Sequence, residues 1–369
     1  MQLLTHSRML SFKVCRQKHW FEYELGMRKS QDAKALRMGS AYHDALEKLA
    51  CRYSLDAALE VIHKRYDFMP ESYDVNEWLY ERETLIRLVV GYHWRWEADE
   101  WEHLEAERSF QLPLILPNTG ARSRTFKLAG KIDGIIRLPD GRLSVLEHKL
   151  LSEDLDADSP LWKRLLVDHQ ISLYVLAARQ LGFAVDCVTY NVTRKPTIRP
   201  SAVPLLDDQG LKIVIDQQGN RVPNPKGGWR QTPSSEQGYE LLTRPMSELE
   251  WGEKLSEDIQ RRPHFYFHRR EVARLDMELA RFREELADIA TSIRDAQLHQ
   301  RWYRTATKDT CAWCSFFGPC TSGWKEGDGI PDDFAILHDI HPELGVTNES
   351  TANATAETTD ATTADEIPF

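Results

Sequence analysis

The chain has 369 residues, 41% hydrophobic and 10% aromatic, which is enough to bury a core and excludes disorder throughout. Its formal net charge of −10, taken alone, argues against a nucleic-acid partner. No apolar run approaches the roughly 18 residues that span a bilayer, and the opening MQLLTHSRMLSFKVCRQ lacks a signal-peptide core, so a cytoplasmic location is expected.

In chain order, helical spacing covers 39–49, 55–66 and a long amphipathic stretch from 75 to 105. Strand-like runs follow at 109–116, 126–138 and 142–150, then helical spacing over 161–181 and a strand at 185–193. Residues 196–245 are rich in Pro, Gly and Gln and read as an irregular insertion with one strand candidate, 211–216. Val272, Leu275, Leu279, Phe282, Leu286, Ile289 and Ile293 step by three and four, the stripe of a long helix packed on the protein's own core, with a coiled coil to a partner as the alternative. The expected division is a helical region over 1–105, a core over 106–195, the insertion over 196–245 and a C-terminal segment over 246–330. From 345 to 369 the chain holds five acids and no Lys or Arg, so residues 1–344 carry only −5, and this stretch reads as a disordered acidic tail. No phosphate-binding G-x-x-x-x-G-K-[ST] loop occurs.

Two β-rich runs flank Pro139-Asp140-Gly141, a sequence suited to a three-residue hairpin loop. Pairing Leu138 with Arg142 sets a register in which Asp133 faces Glu147, with Lys149 on the same face as Glu147. Opposed carboxylates destabilise a sheet. A divalent cation resolves the conflict; a solvated salt-bridge cluster on an exposed face is the alternative.

Asp133 followed by Glu147-His148-Lys149 resembles the D…(D/E)-x-K signature of the PD-(D/E)XK nuclease superfamily. Gln170 and Tyr174 resemble the Q-x-x-x-Y element of its RecB-like branch, and Gly39-Ser-Ala-Tyr-His43 resembles that branch's Gly-x-x-x-His motif. Glu107 is a weaker match to an acid before the first strand. The resemblance implies an α/β (α+β), restriction-endonuclease-like core: a central mixed sheet flanked by helices. It also implies Mg²⁺ or Mn²⁺ held by His43, Asp133, Glu147 and the His148 backbone carbonyl. Lys149 would then orient water or stabilise charge, while Gln170 and Tyr174 hold the DNA backbone.

Cys311, Cys314 and Cys320 form C-x2-C-x5-C, a spacing suited to a metal or cluster, with Cys15 the candidate fourth ligand. Thiolate chemistry alone admits zinc or [4Fe–4S]. The pattern is similar to that of the iron–sulfur RecB-like nucleases, of the AddB nuclease-domain and CRISPR-associated kinds, which implies [4Fe–4S] and an exonuclease working from single-stranded DNA ends. Cys51 and Cys187 read as buried structural thiols. Arg261, Arg262, Arg269 and Arg270 interleave with Phe265, Tyr266 and Phe267, which suits single-stranded DNA or, alternatively, a packed aromatic core. Asp365-Glu366-Ile367-Pro368-Phe369 resembles the acidic tip of bacterial single-stranded-DNA-binding proteins, implying contact with replication or recombination proteins. The competing expectations are a non-catalytic DNA-binding scaffold subunit and a CRISPR-type end-trimming nuclease.

Overall fold

The structure, a computed structural model, describes residues 1–31, 33–325 and 327–344. The acidic tail and its Ile-Pro-Phe tip lie outside the described residues.

The hairpin organises a six-stranded mixed sheet. Its strands β3 (Arg122–Arg137) and β4 (Leu143–Leu151) pair antiparallel through Gly134↔Leu146, Ile135↔Val145 and Arg137↔Leu143, the register read from the turn. The turn closes as the residue types require. Gly141 takes φ +86°, and the Asp140 carboxylate accepts the Arg142 N–H at 3.0 Å. Upstream, β2 (Glu102–Ile115) runs antiparallel along one edge of β3. On the far side of β4, β5 (Val185–Arg194) adds parallel and β6 (Phe267–Ala273) antiparallel.

The other edge of β3 is shared. A short strand, β1 (Gln2–Leu4), pairs parallel with Phe126–Leu128, while β4 pairs from Gly134 onward. Between them, no strand among the described residues pairs with 129–133 on that edge, and the sheet opens there. A helix, α1 (His6–Val14), starts directly after β1.

Two apolar cores cover the sheet. One includes α6 (His169–Gln180) and α8 (Asp276–His299), whose Leu173, Leu176, Phe282, Leu286 and Ile293 cluster with Ile132, Val145 and Val188. Each such side chain contributes roughly 1.5–3 kcal/mol on leaving water. The second core gathers α2 (Lys34–Ala50), α3 (Leu55–Arg65), α4 (Val75–Arg95) and α7 (Glu248–Arg261) around Tyr42, Leu85, Trp251 and Phe267. Helix α5 (Pro160–Leu165) joins β4 to α6.

Several expected elements differ. The helix expected over 75–105 stops at Arg95, and β2 begins at Glu102. The Arg269 guanidinium lies 3.8 Å from the ring centres of both Trp96 and Trp101 and pairs with Asp99, which pins a turn where apolar periodicity alone continues the helix. The 161–181 stretch is two helices, because Asp168 accepts from the Gln170 and Ile171 amides and caps a new start. Val272 lies in β6 rather than in α8. The 196–245 insertion contains short two-stranded ladders, Val203–Pro204 with Thr243–Arg244 and Val214–Ile215 with Glu240–Leu241.

Candidate active site

A cleft of about 250 Å³ occupies the opening in the sheet. Asp133 sits one residue before the β3–β4 ladder begins, so its carboxylate replaces a backbone partner: Oδ2 accepts the His148 N–H at 2.7 Å. His43, from α2, brings Nδ1 to 3.3 Å from the same oxygen. Glu147 and Lys149, two apart on β4, lie on one face and form an ion pair. Glu147 is only 1% exposed, and its second oxygen, Oε2, has no hydrogen-bond partner among the described residues. His148 faces the other way, edge-on to Tyr92 at 5.8 Å and 3.4 Å from the Asn191 amide.

Helix α6 supplies Gln170 and Tyr174, one turn apart, with the Gln170 amide donating to the Tyr174 hydroxyl at 3.1 Å. Tyr174 packs against Phe110 over Gly130. A Cβ at residue 130 would come within 2.6 Å of the Phe110 ring, so only glycine allows this close stack.

Glu107 enters the cleft by an unusual backbone route. It lies on β2 between the pairs Ala106↔Gly134 and Arg108↔Ile132, across from Asp133, and takes φ +48°. A left-handed non-glycine residue within a strand stores about 1–3 kcal/mol of strain, a cost found at functional sites. Single ligand atoms of His43, Glu107 and Asp133 lie within 4.8 Å of one another.

The electrostatics express this crowding. Burial works against the Asp133 carboxylate, but His43, by charge and hydrogen bond, outweighs it and holds the carboxyl well below its usual range. Glu147 moves the other way, raised by burial and by the charge of Asp133. Burial and Asp133 likewise push Glu107 up to about 7, despite its ion pair with Lys131. Burial opposes the His43 imidazolium, yet Asp133 raises its pKa. Burial lowers His148 to about 3, so its ring is neutral. Lys149 keeps its charge, since Glu147 overcomes the desolvation. Three carboxyl groups, one with an orphaned buried oxygen, make an arrangement that a divalent cation relieves, and the donor set of carboxylates plus imidazole fits Mg²⁺ or Mn²⁺.

The sequence profile of the PD-(D/E)XK nuclease superfamily matches residues 3–321. The chain belongs to this superfamily. Its members are phosphodiester-cleaving nucleases that use divalent metal ions. Among solved structures, one titled "Crystal structure of SSO0001" is 13% identical, over 70% of this chain and 75% of that one, with a TM-score of 0.22. No curated protein matches the sequence.

In this PD-(D/E)XK nuclease the structure brings His43, Asp133, Glu147, Lys149, Gln170 and Tyr174 to one cleft. It also adds residues the sequence reading passed over: Thr5, His6, Ser7, Lys131, Glu343 and Leu344. A three-residue strand at the chain start is too short to give a periodic signal, and the residues just after it reach the site only because β1 pairs with the distant 126–128 segment.

The cysteines lie apart from this cleft. Cys15, at the end of α1, is buried and its sulfur accepts the Thr305 N–H at 3.4 Å. Burial raises the thiols of Cys314 and Cys320; Cys15 adds to both shifts, and Cys311 adds to that of Cys320, so the four share one neighbourhood. Phe21, Met27, Phe316 and Phe334 form a small core beside Cys314 and Cys320. Among the described residues, ligand atoms gathered within 4.8 Å of one another belong to His43, Glu107 and Asp133, and the cysteine sulfurs are not drawn together to that degree. Cys187 is buried, whereas Cys51 is exposed, unlike the sequence expectation.

The four arginines read as a DNA surface are largely engaged within the protein. Arg261 and Arg262 both pair with Asp258, Arg269 is held between two indoles, and Arg270 lies over Trp162 at 4.2 Å. Tyr266 and Phe267 are buried in the second core, the packing alternative for this stretch. No helix among the described residues is long and apolar enough to cross a membrane.

Proposed function

We propose that the protein is a Mg²⁺- or Mn²⁺-dependent deoxyribonuclease, an exonuclease on single-stranded ends, acting in recombination, repair or replication and carrying a structural [4Fe–4S] cluster. The observation that carries the catalytic reading is the buried Glu147 with its unpartnered Oε2, in one cleft with Asp133, His43 and Lys149. The resemblance of the cysteine spacing to the RecB-like iron–sulfur nucleases supports the finer reading.

In this reading His43, Asp133, Glu147 and the His148 carbonyl hold the ion, and Glu107 joins them by its place beside Asp133. The ion, when bound, polarises the phosphate and lowers the pKa of water. Lys149, fixed by Glu147, places a positive charge at the reacting phosphate, where charge grows in the transition state. The Gln170 amide and Tyr174 hydroxyl orient the DNA backbone. Cys15, Cys311, Cys314 and Cys320 hold the cluster and thereby tie the N-terminal helix to the C-terminal segment. Arg261, whose side chain is 74% exposed, is the arginine of the basic stretch most open to DNA.

Incubating end-labelled linear and circular single-stranded DNA with Mn²⁺ tests this reading. Linear DNA is expected to shorten from an end and circular DNA to persist, with Asp133→Ala and Lys149→Ala inactive. Equal cleavage by wild type and both variants would remove this site from the reaction.

A further inference from the structure

A second cavity, of about 120 Å³, lies beside the cleft and has no part in the roles above. The two are lined by successive stretches of the same elements. On α2 the cleft takes Ser40, His43 and Asp44, and the cavity takes Leu46, Leu49 and Ala50, one to two turns further on. On β2 the cleft takes Glu107 and the cavity His103, with Trp101 just before the strand. On β4, Glu147 and Lys149 line the cleft while His148 lines the cavity, its ring centre 6.3 Å from that of His43. A strand with a phosphate at the carboxylates therefore has this cavity within a short reach.

The walls of the cavity are aromatic and held in place. Arg269 lies 3.8 Å from the ring centres of both Trp96 and Trp101, and His103 stands edge-on to Trp101 at 6.0 Å. The Tyr92 hydroxyl accepts the Asn191 amide N–H at 2.9 Å. Two of these rings carry uncommitted polar atoms: Trp96 Nε1, a donor, and His103 Nδ1 are buried without a hydrogen-bond partner among the described residues. An apolar occupant would leave both unpaired, and a bare cation would meet an N–H rather than an acceptor. A flat heteroaromatic ring with its own acceptor atoms covers the apolar surface and pairs them.

The rim adds a charge. Arg52, two residues past Ala50, takes φ +61° where α2 ends, a left-handed state that favours glycine. Its exposed guanidinium makes no hydrogen bond or ion pair among the described residues, and its charge is felt by His103. A strained backbone that holds a free cation beside an aromatic cavity suits a ring joined to an anion.

We propose that this cavity is a base subsite: it receives a nucleobase of the DNA strand near the scissile phosphate, stacked on its aromatic walls and hydrogen-bonded to Trp96 and His103, with Arg52 on an adjoining phosphate. The subsite rests on the nuclease reading and deepens it, because it fixes the register of the strand across the cleft.

The test scans a short fluorescent single-stranded oligonucleotide carrying one abasic site at each position in turn, with binding measured in Ca²⁺ and cleavage in Mn²⁺. Wild type should lose about tenfold in affinity at one position, the scale of one base–aromatic stack. His103→Ala, which removes a wall, and Ala50→Met, which fills the cavity from α2, should each weaken the intact strand about tenfold and show no further loss at that position. Arg52→Gly relieves the strained backbone, so it should unfold at the same or a higher temperature. It should nonetheless bind less tightly and lower the slope of log Kd against log salt by about 0.7, the share of one single-strand phosphate. A flat scan in wild type, no binding of the intact strand, an abasic penalty as large in both cavity variants as in wild type, or an unaltered salt slope in Arg52→Gly overturns the subsite. A strand that wild type binds but never cuts counts against the nuclease reading instead, and the binding scan still decides the subsite.

Discussion

Binding of a divalent ion must release protons, because Glu107 and Glu147 hold them near neutrality. Glu107 titrates at about 7, against an ordinary value of 4.5, so at pH 7 it is about half protonated. Glu147 and His43 are both shifted upward, so each adds protons in the same direction. Asp133 contributes none, since it is already ionised. The expected release at pH 7 is therefore at least about half a proton per ion from Glu107 alone, and at pH 8.5 that share falls to about 0.03. Calorimetric titration with Mn²⁺ in buffers of different ionisation enthalpy reads this number directly. Glu107→Gln should lower it by about half a proton at pH 7. The sign extends to stability. A raised carboxyl pKa means the folded state binds more protons than the unfolded chain, so this contribution is full below about 4.5 and is lost as pH rises through about 7. Saturating Mn²⁺ should flatten that decline. Release below about 0.1 proton at pH 7, or no change with Glu107→Gln, would refute the reasoning about the cleft's carboxyls.

Lys149→Met should cut cleavage at least a hundredfold and push the Glu147 carboxyl pKa further up, since Lys149 is the cation that opposes burial and Asp133 there; initial rates and the pH dependence of unfolding check both. Gly130→Ala should destabilise by about 1–3 kcal/mol, since the new methyl meets Phe110 at 2.6 Å and presses on Tyr174; denaturant unfolding measures it. Cys15→Ser should reduce iron content and the absorbance near ~400 nm expected of thiolate-bound clusters, and lower the melting temperature. A variant that stays brown and equally stable would show that Cys15 is not a ligand.

The hairpin was legible because its turn chemistry is local: Pro139-Asp140-Gly141 fixes a register, and a register fixes which side chains share a face. That brought Asp133, Glu147 and Lys149 together before any coordinates. Glu107 was harder, because its access to the cleft depends on φ +48°, a strained state that no propensity announces. His6 and Ser7 were invisible because their position follows from a parallel pairing across more than 120 residues. The arginine stretch misled for a related reason. Interleaved cations and aromatics suit DNA stacking and internal cation–π packing equally, and only the partners Trp96, Trp101, Trp162 and Asp258 distinguish them. Net charge was the poorest guide: half of the −10 lies in the tail, and the core's decisive acids face one cleft.

The most direct test of the account is metal-dependent hydrolysis of labelled single-stranded DNA by wild type beside Asp133→Asn and Glu147→Gln, nearly isosteric changes that remove the charges at the cleft. The account predicts cleavage by wild type only with Mg²⁺ or Mn²⁺, and loss in both variants. Cleavage that persists in the variants, or that survives removal of all divalent ions, would contradict it.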